Sequence, residues 1–175
     1  FCDLPFGVNI EMNAYVQEWA MAYAVGADFI RFEAYVDNRA GSFGYIEACS
    51  TPLAKIMKDY PSDTMIFADV HTAETYGVPN VPINELAGNA KNHDAHAVIV
   101  TENDQNKKIT PEDVKSMREK MGDFPIIVGA GVKPNNVLDY MEYCDAVIVG
   151  RGFKTGDRVD PKLVKEFMEV VHSKY

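Results

Sequence analysis

The chain has 175 residues, 47% of them hydrophobic and 25% charged, the make-up of a globular domain with room for a substantial core. Its 17 basic residues against 26 acidic ones give a net charge of −9, which excludes nucleic acid or an anionic membrane as the main partner, since both need a broad basic face. No apolar run approaches the ~20 residues of a membrane span, the first residues lack the pattern of a signal peptide, and Cys2, Cys49 and Cys144 are scattered without metal-ligand spacing, so a reducing cytoplasm is the expected setting.

Phe6 to Ile10 is the first apolar run of strand length. Asn13 stands where it would cap a helix carrying Val16, Trp19, Ala20 and Tyr23, which Gly26 would end. Asp28 to Tyr35 reads as the second strand, and Thr51-Pro52 opens a helix over Leu53, Ile56 and Met57. Met65 to Val70 and His96 to Thr101 are the third and fourth strands; the polar stretch 102–108 is a solvated loop, and Thr110-Pro111-Glu112-Asp113 starts a helix with cap, proline and acids in order. Pro125 to Gly129 is the fifth strand, followed by a helix predicted from about Pro134. Asp145 to Gly150 is the sixth, and Asp160-Pro161 opens a last helix with Leu163, Val164, Phe167, Val170 and Val171 on its apolar face.

This β-then-α alternation predicts an α/β fold with parallel strands. An open doubly wound sheet and a (β/α)8 TIM barrel both fit it. A doubly wound nucleotide fold wants its glycines after the first strand, whereas here they follow the last two, the place of the phosphate site in many barrels. The barrel is therefore the expected fold, with the six strands as its numbers three to eight. A full barrel takes ~250 residues, so residues 1–175 read as a single partial barrel domain lacking the first two βα units. Phe1 in place of an initiator Met agrees with that expectation. The exposed edges left by the missing strands predict either a fragment or closure by another chain, a homo-oligomer included.

Two glycine turns carry the clearest functional signal: Val128-Gly129-Ala130-Gly131-Val132-Lys133 and Val149-Gly150-Arg151-Gly152-Phe153-Lys154. Glycines there let backbone N–H groups approach an anion, and the helix expected at Pro134 would aim its positive end at the same spot. Gly129, Gly131, Gly150 and Gly152, with Lys154, are thus the candidate binders of a phosphorylated small molecule; tight turns without a ligand are the plainer alternative, and Lys133 is left undecided.

Asp69 and His71 lie two apart at the C-terminal end of a strand, the end where barrel enzymes place their catalytic groups. A carboxylate and an imidazole on one face can act as general acid and base, or share a divalent metal, the one cofactor such a pair would hold. Arg31 and Glu33 repeat the spacing on the neighbouring strand, either orienting a substrate anion or neutralising Asp69 in a structural ion pair. Asn9 and Thr101, at the ends of their strands, are candidate substrate hydrogen-bonders and equally candidate loop caps.

Pro5-Phe6-Gly7-Val8-Asn9, Gly26-Ala27-Asp28-Phe29-Ile30-Arg31, Phe67-Ala68-Asp69-Val70-His71, Asp94 to Thr101 and the two glycine turns occur in the order and spacing of the BtpA/SgcQ family, which the chain resembles from Pro5 to its last helix. Two stretches depart from that family's pattern: Glu33 stands where Asn is usual, and His71-Thr72-Ala73-Glu74 replaces a stretch with Lys and His. The resemblance implies a barrel of the ribulose-phosphate-binding type. The residues themselves point to acid–base chemistry on a phosphorylated sugar or nucleotide-like metabolite by a lyase, isomerase or hydrolase, and the photosystem branch of the resemblance implies the alternative of a non-catalytic role in photosystem I assembly or stability.

Overall fold

The computed structural model describes residues 3–10, 13–42, 44–102, 104 and 106–174; Cys2 and positions 103 and 105 of the polar loop lie outside them. In chain order the elements are β1 (Gly7–Val8), α1 (Tyr15–Val25), β2 (Phe29–Phe32), β3 (Arg39–Gly41), β4 (Gly44–Ile46), α2 (Ser50–Asp59), β5 (Met65–Val70) and β6 (Thr75–Gly77). They continue as α3 (Ile83–Asn92), β7 (Ala97–Val100), α4 (Pro111–Met121), β8 (Ile126–Val128), α5 (Val137–Met141), β9 (Ala146–Val147), a 3-10 turn (Arg151–Phe153), β10 (Lys154–Thr155), β11 (Arg158–Val159) and α6 (Pro161–His172).

All six anticipated strands form, five of them shorter than their apolar runs and β5 over the whole of its own, and they pair in parallel in the sequential order β1-β2-β5-β7-β8-β9. Sequential parallel order is the signature of a barrel wall rather than of a doubly wound sheet, whose order reverses at a switch point. The register sorts the side chains into two faces. One face carries the rows Gly7–Phe29–Met65, Arg31–Phe67–Ala97 and Asp69–Ile99–Ile127–Ala146, the barrel's inner side. The other carries Val8–Ile30–Ile66, Phe32–Ala68–Val98–Ile126 and Val70–Val100–Val128–Val147.

The outer rows make the main core with Trp19 and Ala22 of α1, Leu53 of α2, Leu86, Ala87 and Ala90 of α3, Val114 and Met117 of α4, Val137 and Tyr140 of α5, and Phe167 of α6. The inner rows supply a second, smaller cluster of Ala97, Ile99 and Ile127 against Phe67, whose ring stacks on Phe29 at 4.8 Å. Because both faces of β7 are buried, its four residues read as an unbroken apolar run. Gly7 is required by this packing, since a Cβ there would fall 2.1 Å from the Phe29 ring.

The helix signals hold to different degrees. Thr110 caps α4 in a capping box with Asp113, and Asp160 caps α6 by accepting from the Lys162 N–H. Gly26 ends α1 in the left-handed conformation, φ 65°. Asn13 does not cap α1: its side chain is held instead by Tyr45 O and the Glu47 N–H, at 3.1 Å each, so it ties the β1–α1 connection to β4. The helix expected from Pro134 begins only at Val137 and runs five residues, because Asn136 folds its side chain back onto Lys133 N at 2.7 Å and Gly131 O at 3.2 Å.

The sequence contained no sign of a second, antiparallel sheet of order β4-β3-β6. β3 and β4 arise from the connection after β2, β6 from the connection after β5, and all three lie beyond the C-terminal ends of the wall strands.

Candidate functional site

Asp69, the last inward-facing residue of β5, lies diagonally across from Arg31, the last inward-facing residue of β2, two positions beyond Arg31's register partner Phe67. Arg31 donates from Nε to Asp69 Oδ1 at 2.9 Å and from Nη2 to Oδ2 at 2.6 Å, a bidentate pair whose carboxylate side is fully buried and whose guanidinium is 25% exposed. Burial pushes the Asp69 carboxyl above its ordinary value, against the Arg31 guanidinium, which pulls it down. Burial lowers the Arg31 pKa, but the Asp69 hydrogen bond and the charges of Asp69 and Glu33 outweigh it and leave it raised. The ion-pair alternative for these residues is what the structure displays, with the rest of the Arg31 fork open to the mouth.

Glu33 follows β2 by one residue, half-buried near Arg31, and its backbone carbonyl accepts from Thr72 Oγ1 at 2.6 Å. Asn9, just past β1, donates its side-chain amide to Arg31 O at 3.1 Å and to Glu18 Oε1 at 3.4 Å, anchoring the rim of the first strand to the second. Beside these residues lies a shallow, open cleft between the β1–α1 and β2–α2 connections, bordered by Glu18, Glu33 and Glu47.

His71 corrects the expectation of simple strand alternation. It falls one residue past β5 in the left-handed conformation, φ 56°, so the i, i+2 rule that would place it beside Asp69 no longer applies. Its ring is buried, with Nε2 2.8 Å from Val81 O and 3.8 Å from Asp104 Oδ1. Thr101, at the end of β7, donates to His71 O at 2.8 Å. Asp104 also accepts from Ile83 N at 2.6 Å, so the loop after β7 is tied to the start of α3.

A second buried ion pair went unrecognised in the sequence. Arg39 of β3, 1% exposed, donates from Nη1 to Asp37 Oδ2 at 2.5 Å, from Nε to Thr75 Oγ1 at 2.6 Å and from Nη2 to Thr75 O at 3.2 Å. Asp37 Oδ1 is buried with no hydrogen-bond partner among the described residues, and burial pushes this carboxyl up despite Arg39. The charge of Arg39 reaches Asp69, so the two pairs form one electrostatic unit over β2 and β5.

Across the mouth, the two glycine turns adjoin: a Cβ on Gly152 would lie 3.7 Å from Val132 O. Gly129 presses so closely on β7 that a Cβ would stand 2.7 Å from Ile99 Cγ2 and 2.8 Å from Thr101 Cγ2. Gly131 has φ 77°, and the stem of Lys108 lies 4.0 Å from where its Cβ would be. Gly150 leads into the 3-10 turn with open space about it. Lys154 is exposed in the β10–β11 hairpin, opposite Val159, while Lys108, assigned only to a solvated loop, is the cation whose stem reaches a turn. The anticipated helix dipole is missing here, since α5 starts later and the Lys133 N–H is taken by Asn136.

Among the described residues no group of three His, Cys, Asp or Glu is arranged to hold a metal ion, and no helix is long and apolar enough to cross a membrane. Cys49 and Cys144 are buried, their thiols pushed up to about 12 and about 11 by burial.

Comparison with known proteins places this arrangement. A solved structure of N-(5'-phosphoribosyl)anthranilate isomerase from Pyrococcus furiosus matches 98% of this chain and 75% of its own at a TM-score of 0.64 and 19% identity, which establishes a shared TIM-barrel fold. An uncharacterised protein of Methanocaldococcus jannaschii is 32% identical across 92% of this chain and 61% of its own length. The photosystem I biogenesis protein BtpA of Synechocystis is 25% identical across 95% of this chain and 60% of its own. The chain thus spans about three fifths of the length of these curated relatives. The model of the BtpA family matches residues 2–173, and with it the ordered motifs from the first strand to the last helix acquire a common origin: the chain belongs to the BtpA family.

Proposed function

We propose that this chain is the phosphate-holding part of a cytoplasmic barrel protein that acts on a phosphorylated sugar or nucleotide-like metabolite by acid–base chemistry. The observation that carries the reading is the adjoining pair of glycine turns at the ends of β8 and β9, on the same rim as the Arg31–Asp69 pair. Backbone amides about Gly129, Gly131, Gly150 and Gly152, with Lys154, hold the phosphate. Arg31 orients the far end through its open N–H groups, Asp69 and Glu33 exchange protons there, and His71 supports them from the β5–α3 connection, with Asn9 and Thr101 bracing the rim. The name of the structurally similar phosphoribosyl enzyme agrees with a phosphate ester as ligand.

Gly150 gives the cleanest test, because its φ of −103° and the empty space around it accept a side chain without strain. Gly150→Glu places a carboxylate in the turn while keeping the fold; the parent is expected to bind inorganic phosphate in a calorimetric titration and this variant to lose that binding. Unchanged phosphate binding by that variant would reject the reading.

A second reading has its own support: the Synechocystis relative is a photosystem I biogenesis protein, and the charged groups over β2 and β5 are already paired with one another. In that reading the chain is a non-catalytic assembly or stability factor, and Asp69→Asn leaves its cellular role intact.

A further inference from the structure

The mouth is electrically lopsided. Over β2 and β5 the carboxylates of Glu33, Asp37 and Asp69 face the guanidinium groups of Arg31 and Arg39, and each guanidinium is already bonded to one of those acids. Buried Glu18 and exposed Glu47 add to the negative side along the neighbouring cleft. Asp37 Oδ1 is buried without a hydrogen-bond partner among the described residues, so an acceptor is left over at this end. Around the glycine turns the balance leans positive: Lys108, Lys133, Arg151, Lys154 and Arg158 are exposed, against Glu102 bridged to Lys108, Asp157 in the β10–β11 hairpin, and Asp160, which is spent on Thr155 and on the first turn of α6. One strand, β7, separates β5 from β8, which sets the two ends about 10 Å apart, a span suited to one phosphorylated sugar.

We infer that this mouth selects phosphomonoesters whose other end is uncharged or cationic, a hydroxylated or amine-bearing skeleton, and rejects those carrying a second anion there, with Lys108 as the cation on the phosphate. This rests on the phosphate-holding reading above and narrows it. A carboxylate or second phosphate brought against Glu33, Asp37 and Asp69 meets like charge in a partly buried site, where repulsion at contact distance amounts to about tenfold or more in affinity. A hydroxyl or ammonium group finds acceptors there, and Arg31 keeps N–H groups for a neutral oxygen. Lys108 approaches the anion as a point charge from the loop after β7, its stem lying on Gly131.

Three probes of one skeleton separate the possibilities: glucosamine 6-phosphate, glucose 6-phosphate and 6-phosphogluconate, titrated calorimetrically alongside inorganic phosphate. The parent is expected to bind the first two at least about tenfold more tightly than the third, and Glu33→Gln narrows that gap. Lys108→Met, a change at an exposed side chain, is expected to weaken all four ligands by a similar factor and to flatten their salt dependence. Equal or tighter binding of 6-phosphogluconate by the parent overturns the selectivity while leaving phosphate binding standing. Undiminished phosphate binding by Lys108→Met removes Lys108 from the site, and failure of all four ligands to bind the parent at millimolar concentration overturns the phosphate reading and this inference with it.

Discussion

Replacing Arg31 by Met strips the counter-charge from a carboxylate that has no contact with solvent. Two hydrogen bonds of 2.9 and 2.6 Å disappear, and Asp69 is left 0% exposed. Breaking a buried pair from one side costs about 3–5 kcal/mol, because the surviving charge stays desolvated. The 25% exposure of Arg31 already weakens the native pair, and Asp69 can shed its charge by binding a proton, so a loss of about 3 kcal/mol is expected at neutral pH. Burial raises the Asp69 carboxyl above its unfolded value, and removing the guanidinium raises it further. An acid raised in the folded state contributes stability that is fully present below its unfolded pKa and is lost as pH climbs through the folded pKa. The deficit of Arg31→Met is therefore flat up to the parent's own folded Asp69 pKa and grows by up to about 1.4 kcal/mol per pH unit from there until the variant's higher folded pKa is passed. Urea unfolding of parent and variant at about pH 4.5, 6 and 7.5 measures this, with Arg31→Met/Asp69→Leu as the control that removes both charges and regains most of the loss. A single variant as stable as the parent at every pH, or a double variant no better than the single, would refute the reasoning.

Two further outcomes follow from the packing. Arg39→Met removes three hydrogen bonds and leaves Asp37 as a buried acid without a counter-ion, so unfolding in urea is expected to show a loss of about 3–5 kcal/mol, and Arg39→Lys, which keeps the charge without the fork, to recover only part of it. Gly129→Ala forces a methyl group to within 2.7 Å of Ile99 Cγ2 and 2.8 Å of Thr101 Cγ2; a loss of about 1–3 kcal/mol in thermal or urea unfolding is expected, and a neutral result would show that β7 yields.

The wall of the barrel was legible because burial on two faces leaves an unmistakable trace. Ala97 to Val100 has no polar residue to spare, and the glycines after Val128 mark where backbone must press on β7. What was hidden depends on contacts between distant segments. Asp37 and Arg39 sit in a stretch with no periodicity, and only the antiparallel pairing of β3 with β6 brings Thr75 to Arg39 across 36 positions. The position of His71 was hidden because a single left-handed residue ends the alternation of β5. Asn13 and Asn136 have the composition of helix caps, yet each finds a better partner in a neighbouring loop than in its own helix. Lys108 was read as loop filler, since nothing local distinguishes a lysine that leans on Gly131 from one that points to water.

The small sheet joining β3, β4 and β6 has a mechanical consequence. It splices two successive crossovers, those leaving β2 and β5, into one panel riveted by Arg39 and Thr75, so neither crossover can swing aside while the other stays. The rim above β7 stands outside that panel and is held separately, its loop tied to the start of α3 through Asp104 and the Ile83 N–H, so the two halves of the rim are braced independently of one another.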